Sequence, residues 1–376
     1  PQCGGCALRH ISYEAELKMK ADHVKDCFER IGHIETEVRP IKHGQDLRYR
    51  NKAQYPLEEG KEGLKIGFYA RRSHRVVDCR DCLLQPKSFE AIVNAFDKWI
   101  KKHNIPTYDE AEQKGLLRHI YIRQAHRTGQ VMVCPVINGK QLPFAEALIE
   151  SLLKADPNIK SIVLNINTEN TNVVLGEKSL TIWGSDYITD RLCGLDFRIS
   201  PLSFYQVNTK GAEILYGQAA EYAGLTGKET VLDLYCGAGT IGLCMADKAK
   251  EIIGVESVPQ AVEDAKVNAQ INNINNARFI CADAAQAAEQ LKAEGVNPDV
   301  IILDPPRKGC APELLHTVAQ MNPGRIVYVS CDPATLARDC AIMKELGYET
   351  VEVTPVDMFP RTGHVESVAL ISRVDN

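Results

Sequence analysis

Nowhere in its 376 residues does this chain hold 18 apolar residues in a row, so no helix long enough to cross a bilayer is expected. The first ten residues, PQCGGCALRH, lack the basic-then-apolar order of a secretion signal. Internal repeats and low-complexity tracts are missing too, which excludes a repeat solenoid. Positive charge is not in excess: 44 Lys and Arg stand against 49 Asp and Glu, a net charge of −5 at pH 7. The total charge therefore does not announce nucleic acid. The 13 cysteines are odd in number, and with no secretion signal they are read as reduced thiols in a cytoplasmic protein. The chain opens on Pro1 rather than Met, and further residues are expected upstream.

What is present is an ordinary globular composition, 44% hydrophobic and 25% charged, at a length that fits two or three domains. Charge is unevenly spread. Residues 40–80 hold ten Lys and Arg against five Asp and Glu. Such a face can track phosphates while the molecule stays acidic, although a solvated surface explains the run equally well. Most cysteines, such as Cys27, Cys134, Cys244 and Cys340, sit among apolar residues and read as core packing. Cys3/Cys6, Cys79/Cys82 and Cys331 stand apart.

Ile11, Leu17, Ala21, Val24, Phe28 and Ile31 recur at helical spacing, which predicts an amphipathic helix over 11–31. Strand-like text follows from 38 to 85, then a helix near 87–103. HIYIRQAHRTGQVMVCPVI (119–137) and SIVLNINTENTNVVLG (161–176) read as hairpins. The first half is thus expected to be α+β around an antiparallel sheet. In the second half, short apolar runs at 231–235, 251–256, 277–282, 299–304 and 325–330 alternate with helical segments at 240–248, 259–273, 284–294, 312–320 and 333–346. That alternation predicts a parallel sheet covered by helices on both faces. The change of character falls near 200–225.

The first run of this half leads into a Gly-rich loop, VLDLYCGAGTIGL (231–243). Its G-x-G-x-x-G is shared by dinucleotide sites, so a dehydrogenase stands as a rival. Asp233 precedes the loop, in D-x-x-x-G-x-G through Gly237 and Gly239. A carboxylate there suits the amino end of S-adenosylmethionine and would repel a pyrophosphate. Asp304–Pro306 (DPP) follows the fourth run. Glu256 ends the second and can bind ribose hydroxyls of either cofactor. Asp283 follows the third, where an adenine amino group could be met. For Glu256 and Asp283 ordinary loop capping is the alternative.

The fifth run ends in VSCDP, which places Cys331 at the carboxyl edge of the sheet, where open α/β sheets build their sites. A thiolate is the natural nucleophile for an electron-poor carbon. Carbon 6 of uracil is such a centre, and addition there turns carbon 5 into an enolate-like nucleophile that can take a methyl group. A base must then remove the carbon 5 proton. HVESV, near the C-terminus, supplies Glu366 just before the last run. A buried strand-end cysteine and an exposed strand-start glutamate are the plainer alternatives.

These residues resemble the RNA uracil carbon-5 methyltransferases, which act on ribosomal and transfer RNA. The resemblance rests on SFYQVN (203–208), LDLYCGAGTIGL (232–243), LDPPRKG (303–309), VSCDP (329–333) and HVES (364–367), in that order. CGGC (3–6), YRNKAQY (49–55) and VVDCRDCLLQP (76–86) extend it through the first half. It implies a class I, Rossmann-like S-adenosylmethionine methyltransferase domain plus an α+β central RNA-binding domain. The expected organisation is a cysteine segment at 1–10, a helix at 11–36 that packs on the catalytic domain, a central domain at 37–205 and a catalytic domain at 206–376. By the same resemblance Cys331 is the nucleophile and Glu366 the proton acceptor, with Gln206, Tyr235, Glu256 and Asp304 contacting S-adenosylmethionine; Gly237 and Asp283 join them from the reading above.

Relatives of this kind hold a [4Fe-4S] cluster through C-x5-C-x2-C and one distant cysteine. Cys3, Cys6 and Cys82 match three of the ligands, and the remaining one would lie upstream of Pro1. A C-x2-C…C-x2-C zinc site that includes Cys79 is the rival. The expected partner is RNA, a loop or bulge of 23S ribosomal RNA with a flipped uridine at one or two sites. Transfer RNA is the alternative, the protein acting as a monomer without membrane contact. Arg48, Arg50, Lys52, Arg71, Arg72 and Arg75 are expected to meet phosphates. A dehydrogenase leaves Cys331 and DPP without a role. An amino-group methyltransferase wants an aromatic after the two prolines, where Arg307 stands. A non-catalytic RNA-binding module leaves the Cys and Glu pair unexplained.

Overall fold

The structure, a computed structural model, describes residues 3–60 and 63–374. Ser12 caps the first helix, its Oγ accepting from the Ala15 N–H at 3.2 Å, and α1 (Tyr13–Cys27) runs into a π turn at Phe28–Gly32. The buried stripe is Glu16, Lys20, Val24, Cys27 and Phe28, while Ile31 is 47% exposed. This differs from the expected apolar stripe for an electrostatic reason. Lys20 Nζ donates to Glu16 Oε1 and to Asp357 Oδ1, each at 2.8 Å, so three charges are buried as one paired group. Val24, Cys27 and Phe28 join the core of the second half.

Two short strands follow, β1 (Glu37–Val38) and β2 (Lys42–His43). The sequence grouping assigned 37–43 to the central domain. These strands instead pair in parallel with the penultimate strand of the chain, because an edge left open there accepts them. The central sheet then forms from β3 (Lys52–Gly60), β4 (Gly63–Tyr69), β5 (Val76–Asp78), β6 (Leu117–Gln124), β7 (Val131–Ile137), β8 (Ile159–Ile166) and β9 (Lys178–Gly184), in the order β5-β4-β3-β6-β7-β8-β9. It is antiparallel except between β7 and β8. The second expected hairpin is longer than the text suggested. Its returning strand is β9, because Asn165 and Asn167 tie residues 173–178 into a loop through hydrogen bonds to backbone carbonyls.

Two helices, α2 (Ser88–His103) and α3 (Ala145–Ala155), cover one face of this sheet with Phe89, Ile92, Phe96, Leu148 and Leu152. Period-2 alternation sends Tyr121, Met132, Cys134 and Val136 to the other face, into a core shared with the second half. A hairpin of β10 (Ile188–Leu192) and β11 (Leu195–Ile199) leads to α4 (Thr209–Ala223).

The second half then alternates through β12 (Thr230–Leu234), α5 (Thr240–Leu243), β13 (Glu251–Glu256), α6 (Pro259–Ile271), β14 (Ala277–Cys281), α7 (Ala284–Ala293), β15 (Val300–Leu303), α8 (Pro312–Gln320), β16 (Arg325–Ser330), α9 (Pro333–Glu345), β17 (Tyr348–Asp357) and β18 (Glu366–Arg373). The strands order as β14-β13-β12-β15-β16-β18-β17, parallel except for β18. Leu232, Leu234 and Ile301 face one apolar layer, Val231 and Ile302 the other, as expected of strands buried on both sides. The order reverses between β12 and β15, which opens a crevice at their carboxyl ends. The expected helix at 240–248 is only α5 and a short 3-10 turn at Ala246–Lys248.

Candidate active site

All eight residues expected at the cofactor and the chemistry line one cleft of about 1490 Å³: Gln206, Tyr235, Gly237, Glu256, Asp283, Asp304, Cys331 and Glu366. The turn after β12 is strained. Tyr235 sits at φ 67, a left-handed conformation unusual for a bulky residue and one that clusters at functional sites. Gly239, at φ 78, could not be replaced freely, since a Cβ would approach Phe279 to 3.2 Å. Glu256 Oε2 accepts from the Gly237 N–H at 3.1 Å and Oε1 from Val258 at 2.8 Å, so this carboxylate holds the loop as well as facing the cleft. Asp283 Oδ1 caps α7 through Ala285 and Gln286, so the capping alternative holds for one of its oxygens. Asp233 departs from expectation. It is 1% exposed beneath the loop, where Oδ2 accepts from Gly242 at 3.0 Å, and it is not part of the cleft wall.

Cys331 and Glu366 meet through the sheet. β16 and β18 are antiparallel, and their last paired positions are Ser330 opposite Ser367. One step further along both strands stand Cys331 and Glu366. Glu366 is 5% exposed, and burial first, then Asp304, pushes its carboxyl up to about 8, against a lowering pull from Arg307. Burial, Glu366 and Asp304 push the Cys331 thiol up, and Arg307 again opposes them. Burial holds Asp304 up at about 7, and burial with Asp304 holds Asp233 at about 8. Buried carboxyl groups that raise one another mark a site short of positive charge. A ligand that carries a sulfonium fits that deficit. Sequence reasoning missed Arg307 as a participant; it noticed only that the residue was not aromatic. It also missed His364 and Phe204 on the cleft wall, the latter 71% exposed.

The cysteines also gather. Cys3 bridges to Ala70 beyond β4, and the Gly4 N–H donates to Tyr69, which lays the N-terminal segment along that strand. Burial, then Cys82 and Cys3, push the Cys6 thiol up. A hydrogen bond from Cys79 pushes Cys82 down, helped by the N–H groups of Leu84 and Gln85. Among the described residues, no group of three or more Cys, His, Asp or Glu is arranged to hold a metal ion.

Of the six expected phosphate contacts, Arg50 and Lys52 line the cleft and the other four do not. Arg48 turns inward to Asp81 and the carbonyls of Cys82 and Gln85, since these three acceptors hold its guanidinium. Arg71, Arg72 and Arg75 are exposed on the β4–β5 turn.

The strand order with one antiparallel strand, the Gly-rich turn and the acidic cleft define a class I S-adenosylmethionine-dependent methyltransferase. Residues 174–374 match the family described as tRNA (Uracil-5-)-methyltransferase. A Clostridium tetani protein described as an uncharacterized RNA methyltransferase is 47% identical over 372 residues, 99% of this chain and 81% of that protein. Another, from Halalkalibacterium halodurans, is 48% identical over 372 residues, 98% of this chain and 81% of its own length. The crystal structure of the Pyrococcus abyssi tRNA (uracil-54, C5)-methyltransferase in complex with S-adenosyl-L-homocysteine is similar at a TM-score of 0.80 and 30% identity. The match covers 99% of this chain and 86% of that one. The chain belongs to the tRNA (uracil-5-)-methyltransferase family and is an S-adenosylmethionine-dependent RNA uracil-5 methyltransferase. No helix of the described residues is long and apolar enough to cross a membrane.

Proposed function

We propose that this enzyme methylates carbon 5 of a flipped uridine in a loop or bulge of 23S ribosomal RNA, through a covalent bond between Cys331 Sγ and carbon 6. The observation that carries the reading is the cross-strand neighbourhood of Cys331 and Glu366 inside the cofactor cleft. Arg307 lowers the cost of the thiolate. Sγ adds to carbon 6, and the electron pair moves to carbon 5 and the carbonyl. S-adenosylmethionine, held by Gln206, Tyr235, Gly237, Glu256, Asp283 and Asp304, supplies the methyl group. The Glu366 carboxylate then accepts the carbon 5 proton, the carbon 5–carbon 6 double bond re-forms, and the C–S bond breaks to return the thiolate. A carboxyl held near 8 by burial is a strong enough base for this proton at neutral pH.

In this reading 206–376 is the catalytic unit, and the central sheet presents RNA to it. In the same reading Cys3, Cys6 and Cys82 are three of the ligands of a [4Fe-4S] cluster. The thiols of Cys82 and Cys3 both act on that of Cys6, which supports this assignment, and no step of methyl transfer uses the cluster. The test is to incubate ribosomal and transfer RNA from cells lacking the gene with the protein and labelled S-adenosylmethionine. Label at one or two uridines of 23S RNA is the expected outcome. Label confined to transfer RNA would replace the target with the one that the Pyrococcus abyssi relative's description names.

A further inference from the structure

Two cations stand directly opposite each other on neighbouring strands of the central sheet. Lys52 on β3 is the register partner of Arg123 on β6, and Gln54 pairs with Tyr121 beside them. Like charges in that position destabilise a sheet unless something offsets them. No carboxylate does so. Among the described residues no ion pair involves Lys52, Arg50 or Arg123, and the groups acting on Lys52 are burial, Arg123 and Arg50, which together pull its ammonium down to about 8. Arg123 is 2% exposed. One nitrogen donates to the Ser203 carbonyl at 3.1 Å, while its Nε and the Tyr121 hydroxyl are buried without a partner. The Tyr121 ring lies beside both charges, its centroid 6.0 Å from Lys52 Nζ and 5.7 Å from the Arg123 guanidinium. Arg50, Lys52, Gln54, Tyr121 and Arg123 all line the cleft that holds Cys331.

We propose that Lys52, Arg123 and Arg50 form a seat for one backbone phosphate of the RNA, next to the nucleotide whose base enters the cleft. The inference rests on the reading that RNA occupies this cleft. An unoffset cationic pair is costly in the empty protein, and a phosphodiester removes that cost. Its two free oxygens can take the ammonium and the guanidinium at once. Gripping the phosphate at the floor holds the nucleotide out of its stack, against the few kcal/mol that unstacking costs. The exposed turn at Arg71, Arg72 and Arg75 has no comparable burial.

The experiment uses a twelve-residue oligouridylate, and the same oligomer with uncharged methylphosphonate linkages, against the full chain. Lys52→Met should weaken the phosphate oligomer about tenfold and reduce the slope of log K against log salt by about 0.7. Arg123→Lys, which keeps the charge and loses the fork, should weaken binding less and keep the slope. The uncharged oligomer should be indifferent to both, and S-adenosylmethionine affinity should not change. Equal losses on both oligomers would show that these cations read bases. A loss of cofactor affinity would assign them to its carboxylate. An unchanged salt slope would make them structural. Each of these outcomes overturns the phosphate seat. Methyl transfer to 23S RNA is read separately, so a chain that grips the oligomer through Lys52 yet methylates no 23S uridine refutes the target and leaves the seat standing.

Discussion

Cys331 and Glu366 lie 35 positions apart in the chain and occupy facing positions at the ends of β16 and β18, one step past the Ser330–Ser367 pair. Antiparallel pairing sets this proximity, and the single reversed strand of the sheet is what brings Glu366 to Cys331.

Cys331→Ala and Cys331→Ser should each abolish methyl transfer, a loss of at least about 10³-fold on the scale of a removed nucleophile. Calorimetry should find S-adenosylmethionine binding within about twofold of wild type, because the thiol acts on the base. Near-normal turnover in either variant would refute the nucleophile.

Glu366→Gln should add to the base and methylate it but fail to release it. A protein–RNA adduct that survives a denaturing gel is the expected readout. In the wild type, release needs ionised Glu366, so the rate of adduct release should climb with pH up to about 8 and then level off. A variant that is folded, binds RNA and forms no adduct would remove this role.

Stability should fall as pH rises from about 5 to 8. Glu366, Asp304 and Asp233 keep their protons in the folded chain at pH values where the unfolded chain has lost them. The folded state therefore binds more protons across this window, and the slope of unfolding free energy with pH is negative. Urea midpoints at pH 5 and 8 measure it. Glu366→Gln should narrow the difference, and bound S-adenosylmethionine should do the same through its positive charge.

Lys20→Met should destabilise the protein by about 3–5 kcal/mol, since it leaves the buried Asp357 without a cation and Glu16 with Arg361 alone. A loss below about 1 kcal/mol in urea titration would show that water reaches the pair.

Iron and zinc analysis of the protein, purified without oxygen, should find about four irons per chain. Cys82→Ala should remove them while methyl transfer persists at reduced stability. Stoichiometric zinc would instead assign Cys79 to the site with Cys3, Cys6 and Cys82.

Much of the site was legible in the chain because chemistry in an open α/β sheet collects at the carboxyl ends of strands. Asp304, Cys331 and Glu256 each directly follow or end an apolar run, so their position along the chain already places them on one edge. Asp233 shows the limit of the same reasoning. It belongs to the same strand end, but the loop folds over it and hands its carboxylate to Gly242.

Sequence by itself determined the alternation of strands and helices, the Gly-rich turn and the place of Cys331 at a strand end, since each depends on local periodicity or on residues adjacent in the chain. Tertiary structure alone decided which face of α1 is buried, that 37–43 completes the second sheet, and that Arg307 opposes the groups that raise the Cys331 thiol. It also turned Arg48 inward, left Arg71, Arg72 and Arg75 outside the cleft, and set Lys52 against Arg123 across a strand pair. The physical reason is common to all of these. A charge acquires its role from whichever opposite or like charge the fold brings within a few ångströms, and that distance is set by register and packing between segments far apart in the chain.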